Sequence, residues 1–426
     1  MPDQPESSST TTSGDFSTGQ LVEVTIERMA HGGEGIGVLP DGKIIFIAGA
    51  FPGDTITAKI SKSKKNFCFG DLVEVLTSSE LRVENTCPAA AQGAGCCDFA
   101  ELAPSAEAEL KKTILLDQLN RVARLKGAPK VAVQQLSPRH WRTRVRLGVD
   151  ETGHAGLRRR GSHELVTSVA CTQLVEGLVD GIVGPDARTF TPGAELIVVR
   201  DASSNRHVVE SVKAARGRRV EKIESVVEGT GTVTEKIGEF SFSFPATAFW
   251  QGHKEAPSTY SQLIRDYLAP SARGTQGTAW DLYGGVGAFI PAIAQGLSAG
   301  PQISTRVYSV DYSPAATAME QADLQEFEIY TVADRVEKVA AQLPQPNAVV
   351  LDPPRVGAGR DVINTVAAAR PEVVVHIGCD PATFARDIGY WTENGYRLDH
   401  ATLVNAFPGT HHFEVVARLV PINSQA

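Results

Sequence analysis

Cys379 closes the strand-like half of a run from Val373 to Asp387, Val-Val-Val-His-Ile-Gly-Cys-Asp-Pro-Ala-Thr-Phe-Ala-Arg-Asp, and it is the residue best placed to do chemistry. As a thiolate it would be a nucleophile able to form a covalent intermediate. Residues 373–377 are apolar and β-branched, short enough for a buried strand. Asp380 then falls at an N-cap, with Pro381 at the first helical position, where its missing N–H costs nothing. The residue before a proline is held extended, so strand should pass abruptly into helix. Cys379 is thereby placed at the carboxyl end of a parallel strand, the edge at which open α/β sheets bind ligands. The positive end of the following helix favours a thiolate there, and the adjacent Asp380 carboxylate opposes it. Taken alone, such a cysteine reads first as a small buried apolar side chain.

Three other groupings bear on that reading. Asp281-Leu-Tyr283-Gly284-Gly285-Val-Gly287-Ala288-Phe289 follows a candidate strand, and its glycines permit a tight turn and close approach of a ligand to backbone. Ile290 stands where a third glycine of G-x-G-x-x-G would be. The next strand ends in Asp311, whose carboxylate suits the two hydroxyls of a ribose; turn, acid and parallel sheet together suggest an adenosine-containing cofactor. Asp352-Pro353-Pro354-Arg355-Val-Gly357 follows a further strand, and the two prolines make a rigid corner that presents Asp352 and Arg355. A plain structural turn explains that segment equally well. Lastly, Cys87, Cys96, Cys97 and Cys171 are four thiols able to hold an iron–sulfur cluster or zinc. They lack a C-x2-C pair, and neighbours in extended backbone point opposite ways, so adventitious cysteines are the competing account.

These groups must be positioned by a chain of 426 residues, long enough for two or three domains. Apolar content of 42% with 21% charged residues is that of a soluble globular protein, and no apolar run approaches a membrane span. Met1 to Thr18 is Ser/Thr-rich without an apolar core, which reads as a disordered tail and not as a secretory signal. Six scattered cysteines form no disulfide framework, so the cytoplasm is expected. The net charge of −8 argues mildly against a nucleic-acid partner, leaving local basic patches as its only support.

Residues 19–78 read as a small barrel: strands over 21–26, 43–47, 55–60 and 69–76, turns at Gly32-Gly33, Gly35 and Gly37, and a basic tip Lys62-Ser-Lys64-Lys65-Asn. Residues 105–125 have helical spacing. A β-rich region runs over 79–245, with strands at 143–149, 164–169, 195–199, 207–212 and 238–244. It carries Arg139, Arg142, Arg144 and Arg146, then Arg158–Arg160, then Arg216, Arg218 and Arg219, either solvated faces or phosphate contacts. From 246 to 426, strand alternates with helix, the rhythm of a doubly wound parallel sheet. Strands are expected at 278–282, 306–311, 348–351, 373–377, 397–404 and 413–420, and helices at 286–295, 314–327, 361–369 and 381–393.

The segments "HGGEGIG", "GKIIFIAGAFPGDTI" and "KKNFCFGDLVEVL" resemble a TRAM domain, which implies an OB-like RNA-binding module. Together with "FWQGH" at 249–253, "DLYGGVGAF", "LDPPRVG", "CDPATFARD" and "NAFPGTHHFEVVARL", they give nearly the whole chain a resemblance to the S-adenosylmethionine-dependent RNA 5-methyluridine methyltransferases. The resemblance implies a Rossmann-like class I methyltransferase domain over 246–426, a cofactor pocket lined by Gln251, Tyr283, Ala288, Asp311, Asp334 and Asp352, Cys379 as nucleophile and Glu414 as general base. It implies S-adenosylmethionine as cofactor, and ribosomal RNA as partner with transfer RNA second. Two departures stand out: Asp380 where many relatives carry Asn, and Ala94 at one place of the cluster-binding C-x2-C, so that Cys96 would have to substitute. A 5-methylcytosine enzyme would place a cysteine at Pro353-Pro354, and none is there. A non-catalytic RNA-binding or ribosome-assembly factor is the rival of another class.

Overall fold

Alternation of apolar and polar side chains builds the first part of the chain. The computed structural model describes residues 16–125, 127, 129–216, 219–272, 277–298, 305–313 and 321–422. Strands β1 (Leu21–Met29), β2 (Glu34–Val38), β3 (Ile44–Ala48), β4 (Thr55–Ser63) and β5 (Phe67–Thr77) close into a barrel in the order β1-β2-β3-β5-β4. Inward-facing Val22, Val24, Ile45, Ile47, Ile56, Ile60 and Cys68 fill its core. The glycines read as turns at 35 and 37 instead lie inside β2. A Cβ on Gly35 would meet Ala50 O at 2.4 Å, and one on Gly37 would meet Val24 Cγ2 at 2.4 Å. They are there for close approach across the barrel, and a fifth strand hid behind them. The barrel belongs to a compact unit of residues up to 84 with 101–106; residues 85–100 and 107 onward form the second unit.

The second unit begins with helix α1 (Pro88–Ala91) and, from Glu107 on, helix α2 (Pro104–Arg121), followed by β6 (Val131–Gln135). A six-stranded sheet, ordered β12-β11-β10-β7-β8-β9, comes from β7 (Arg144–Val149), β8 (Ala155–Arg158), β9 (Leu165–Val166), β10 (Glu195–Arg200), β11 (Arg206–Arg216) and β12 (Arg219–Glu228). A separate hairpin joins β13 (Thr232–Ile237) to β14 (Phe240–Pro245). The expected strand at 164–169 shrinks to two residues, Leu165–Val166.

Of the described arginines of this region, Arg142 and Arg144 are half-buried, whereas Arg139, Arg146, Arg158, Arg159 and Arg160 are exposed. Arg144 is turned inward and donates to Ala246 O (3.1 Å). Arg142 lies over the Trp141 ring. Arg146 and Arg158 pair with Glu195, and Arg159 with Glu164. The side chains of Arg216, Arg218 and Arg219 lie outside the described residues.

The remaining elements are α3 (Ala256–Leu268), β15 (Gly277–Leu282), α4 (Ile290–Gly296), β16 (Thr305–Val310), β17 (Glu328–Val332), α5 (Val336–Val339), β18 (Ala348–Leu351), α6 (Gly359–Ala368), β19 (Val373–Gly378), α7 (Pro381–Glu393), β20 (Tyr396–Asn405) and β21 (Glu414–Pro421). They form an eight-stranded sheet in the order β17-β16-β15-β18-β19-β21-β20-β6. β18 and β19 are buried along their whole length, as central parallel strands covered on both faces must be. β21 runs antiparallel between β19 and β20, and β6 adds in parallel to β20. Of the expected helix over 314–327, residues 314–320 lie outside the described residues, and the described half is no α-helix but a single 3-10 turn, Ala322–Leu324, running into a turn. Among the described residues no helix is long and apolar enough to cross a membrane.

Candidate active site

The carboxyl ends of four neighbouring strands converge on one cavity of about 570 Å³. At the end of β15 the chain turns sharply, with Tyr283 at φ 64° and Gly285 at φ 54°. Tyr283 is a non-glycine residue in the left-handed region, a strained conformation of the kind that gathers at functional sites. A Cβ on Gly284 would lie 2.2 Å from Asp281 Oδ2, so only glycine passes there. Asp281 is buried and accepts the Ser309 hydroxyl (2.9 Å); burial raises its carboxyl to about 7, with the Ser309 hydrogen bond opposing the shift. Asp311, just past β16, accepts the Gly285 amide on one oxygen (2.9 Å) and the Ser313 amide on the other (2.6 Å). Each oxygen keeps a lone pair for a further donor such as a ribose hydroxyl.

The loop after β18 is held from below by α7. Asp387, wholly buried, accepts the Ala358 amide (2.7 Å). Arg386 bridges Asp387 Oδ1 (2.8 Å) and Val356 O (2.7 Å), and Thr383 Oγ1 donates to Arg355 O (2.9 Å). Asp352 and Arg355 are thereby fixed at the cavity wall. Gln251 Nε2 lies 3.4 Å from Asp352 Oδ2, and Arg355 reaches His412 at 3.4 Å.

β19 delivers Cys379, and Asp380 caps α7 by accepting from Ala382 N (3.1 Å) and Thr383 N (2.8 Å). Pro381 occupies the first turn, as its sequence position predicts. In the antiparallel register of β19 with β21, Gly378 faces Val415. Continued by one residue, that register sets Cys379 across from Glu414. Both line the cavity.

The electrostatics are those of a site short of positive charge. Burial pushes the Cys379 thiol up to about 12; Glu414 and Asp352 add to this, and Arg355 pulls it down. Burial likewise raises Asp352 to about 7, with help from Asp281, and lifts Glu414 well above the carboxylate range. The opposition expected from Asp380 is present, as the last of the five causes acting on the thiol. Glu414 Oε2 and the Tyr260 hydroxyl are buried without hydrogen-bond partners among the described residues.

Of the residues singled out in the sequence, the cavity brings together Gln251, Tyr283, Ala288, Asp311, Asp352, Cys379 and Glu414. Asp334 is apart from them, beyond β17, with its carboxylate 3.3 Å from Lys338. Phe249 stands at the rim, 77% exposed. Arg355, read from the sequence as holding the pyrimidine edge or the cofactor, and His412, read as a packing or hydrogen-bonding residue, are both in the wall; Phe249 is a wall residue to which the sequence assigned no role. The glycine turn, the lone pairs of Asp311 and the apolar wall of Val286, Ala288 and Phe289 fit an adenosine-bearing cofactor.

A second grouping lies behind the loop leading to Glu414. The Sγ atoms of Cys87, Cys96, Cys97 and Cys171 all fall within 4.8 Å of one another, with Cys97–Cys171 at 3.4 Å and Cys87–Cys171 at 3.6 Å. The segment around Cys96-Cys97 is turn, not strand, which removes the geometric objection to both thiols facing one centre. Tetrahedral thiolates around a single ion, at about 2.3 Å each, would have edges of about 3.8 Å. Four soft, mostly buried donors therefore fit a metal centre. This segment is tied to the loop before β21: Phe99 N donates to Gly409 O (3.0 Å), and Gln173 Nε2 donates to Cys96 O and Pro408 O, both at 3.1 Å.

Comparisons with known proteins converge on one family. The TRAM domain profile matches residues 16–73, and the family described as tRNA (Uracil-5-)-methyltransferase matches residues 199–420. An uncharacterized RNA methyltransferase of Corynebacterium glutamicum is 48% identical over 416 residues, covering 96% of this chain and 99% of its own. One from Streptomyces avermitilis is 31% identical over 436 residues, covering 95% and 99%. The crystal structure of Pyrococcus abyssi tRNA (uracil-54, C5)-methyltransferase in complex with S-adenosyl-L-homocysteine is 17% identical. It superposes with a TM-score of 0.69 over 94% of this chain and 100% of that one, a likeness of fold.

Proposed function

The chain belongs to the tRNA (uracil-5-)-methyltransferase family and is an S-adenosylmethionine-dependent RNA methyltransferase, and we propose that it methylates C5 of a uridine in structured RNA through a covalent bond from Cys379 to C6. The observation that carries this reading is the placement of Cys379 and Glu414 across from each other on β19 and β21, at a cavity whose other wall is the glycine turn.

Uracil C5 is a weak nucleophile until sulfur adds to C6 and makes an enolate-like centre. Cys379 supplies the sulfur. Tyr283, Gly284, Ala288 and Asp311 would hold S-adenosylmethionine, which when bound would supply an electrophilic methyl group. Once C5 carries the methyl, Glu414 takes the C5 proton, and the electron pair left behind expels the Cys379 thiolate. Glu414 must be ionised to accept it, and Arg355 is the cation that favours that form. Asp352 and Arg355 are placed to hold the pyrimidine edge. The target base has to leave its stack to enter, which favours a loop in ribosomal or transfer RNA.

Two variants test the steps separately. Cys379→Ala should abolish methylation and covalent trapping on 5-fluorouridine RNA. Glu414→Gln should methylate and then stall, accumulating the protein–RNA adduct on ordinary uridine RNA. An adduct formed as well by Cys379→Ala as by the wild type would sink the assignment. Mass mapping of ribosomal and transfer RNA from a strain lacking the protein identifies the substrate.

The four clustered cysteines are proposed to hold a metal centre, an iron–sulfur cluster in the reading the family resemblance implies and zinc as the alternative. Metal analysis and visible absorption after anaerobic purification decide between them, and protein free of both metals overturns the proposal.

A further inference from the structure

Two buried polar atoms beside the cavity stand without a hydrogen-bond partner among the described residues, the Tyr260 hydroxyl and Glu414 Oε2. Buried phenols and carboxylates normally find partners, and a pair of orphans in one place calls for a reason. A phenol has a proton to give, and an ionised carboxylate can only accept, so each atom is what the other lacks.

Strand alternation sets both on one side of the sheet. Val373, Val375 and Ile377 of β19 and Val416 of β21 belong to the same apolar cluster as Tyr260 and Ile264 of α3. Side chains two apart on a strand share a face, so Cys379 and Glu414 continue those two rows. Helix α3 packs on β19 and β21, and Pro257, one turn before Tyr260, is in the cavity wall. The Phe289 ring, 6.4 Å from that of Tyr260, is in the wall too. The phenol therefore stands behind the wall that carries Cys379 and Glu414. Burial raises its hydroxyl well above the ordinary value, and of the charges that add to this Glu414 comes first, then Asp352 and Cys379. Asp352 Oδ2 already has Gln251 Nε2 at 3.4 Å, which leaves Glu414 Oε2 as the acceptor in want of a donor.

We propose that Tyr260 is a positioning residue whose hydroxyl donates, across one water, to Glu414 Oε2 and so holds the carboxylate with Oε1 turned to the C5 proton. A water that joins two buried polar groups is nearly as good as a direct hydrogen bond. Around Glu414 in the cavity stand Asp352 and Arg355 from the loop after β18, Cys379 from the end of β19 and His412 from its own loop. Arg355 favours the charge on Glu414, whereas burial and Asp352 oppose it. A neutral hydroxyl also favours it, without a second charge that would itself have to be buried. In the step itself Tyr260 keeps its proton. The C5 hydrogen passes to Oε1 as a proton, its bonding pair becomes the C5–C6 double bond, and the C6–S pair leaves with sulfur. The inference rests on Glu414 being the general base, and it adds the group that holds that base in place.

The test uses the full chain, S-adenosylmethionine, and ribosomal and transfer RNA from a strain lacking the protein. Tyr260→Phe removes one oxygen and should melt near the wild-type temperature. The covalent protein–RNA adduct is followed in time at a series of pH values on both sides of neutrality. It should form as in the wild type but clear about tenfold more slowly at the acid end, with the midpoint of the clearance profile moved up by about one unit. The sign follows from the loss: without its donor the ionised carboxylate is less favoured, and a higher pH is needed to reach it. Trapping on the same RNA from cells fed 5-fluorouracil needs no proton abstraction and should match the wild type. Wild-type clearance in Tyr260→Phe would overturn the proposal. Slower clearance at every pH with an unmoved midpoint would reduce Tyr260 to packing and overturn it as well. Glu414→Gln, run alongside, separates the two readings. An adduct that clears normally in Glu414→Gln removes the base assignment and this inference with it, whereas a stalled adduct there beside normal clearance in Tyr260→Phe refutes the role of Tyr260 alone.

Discussion

Asp98 accepts both the backbone amide and the imidazole Nδ1 of His411, fastening the cysteine segment to the loop that enters β21. The neighbouring His412 lines the cavity, and Glu414 follows two residues later. Asp98→Ala should therefore misplace Glu414, the proposed general base, without touching the glycine turn. Turnover is expected to fall about tenfold or more, the usual cost of losing position. Affinity for S-adenosylhomocysteine by calorimetry should hold. Unchanged turnover, or lost cofactor binding, would contradict this coupling.

One of the contacts that hold the corner at 352–358 can be attacked from either side. Gly357 has φ 77°, and a Cβ there would lie 2.4 Å from Asp387 Oδ2. Gly357→Ala and Asp387→Ala should each cost about 1–3 kcal/mol in urea unfolding. Because both act on the same contact, the double variant should lose clearly less than the sum. Strict additivity would show that the two residues do not share it.

In the free enzyme the Cys379 thiol stands at about 12, so at neutral pH nearly all of it is protonated. Its alkylation by iodoacetamide, followed by peptide mass spectrometry, should accelerate close to tenfold per unit from pH 7 to 9. Arg355→Gln should slow it throughout, since Arg355 is the cation that lowers the thiol. A flat profile over that range would refute the buried-thiol picture.

His376, wholly buried in β19, accepts from the Trp391 indole (3.0 Å), and burial lowers it to about 4. The unfolded chain takes its proton near 6.5, so in the interval between, only the unfolded state is protonated. Stability from this group is complete above pH 6.5 and drains away as pH falls toward 4, by roughly 3 kcal/mol. Asp281 and Asp352 titrate with the opposite sign, and they cancel when variant and wild type are compared. His376→Gln should thus lose less stability between pH 7 and pH 5 than the wild type does, as read from urea midpoints.

What could be read in the sequence was local. Asp380, Pro381 and the β-branched run before them fixed β19 and α7 because capping and proline geometry act over three or four residues. The glycine turn was legible, but the helix after it starts at Ile290 and not at Val286, since the intervening residues are spent in the turn. Gly35 and Gly37 misled because a glycine that avoids a clash looks like one that makes a bend. Tyr260 could not be found: at helical spacing it resembles any core residue, and only the fold shows its hydroxyl buried and unpartnered. The convergence of Cys96 with Cys171 is equally non-local, with β7, β8 and β9 lying between them in the chain.

β6 gives the eight-stranded sheet its last member from a segment more than a hundred residues upstream of β15. Behind it, Lys111 of α2 is buried against Asn405 and Glu107. A fragment begun at residue 246 would carry the glycine turn, Cys379 and Glu414 intact, yet bare the outer backbone of β20 and strand Asn405 without its ammonium neighbour. The catalytic half is stitched to its own upstream leader, and any trimmed gene meant to yield a working enzyme has to keep that thread.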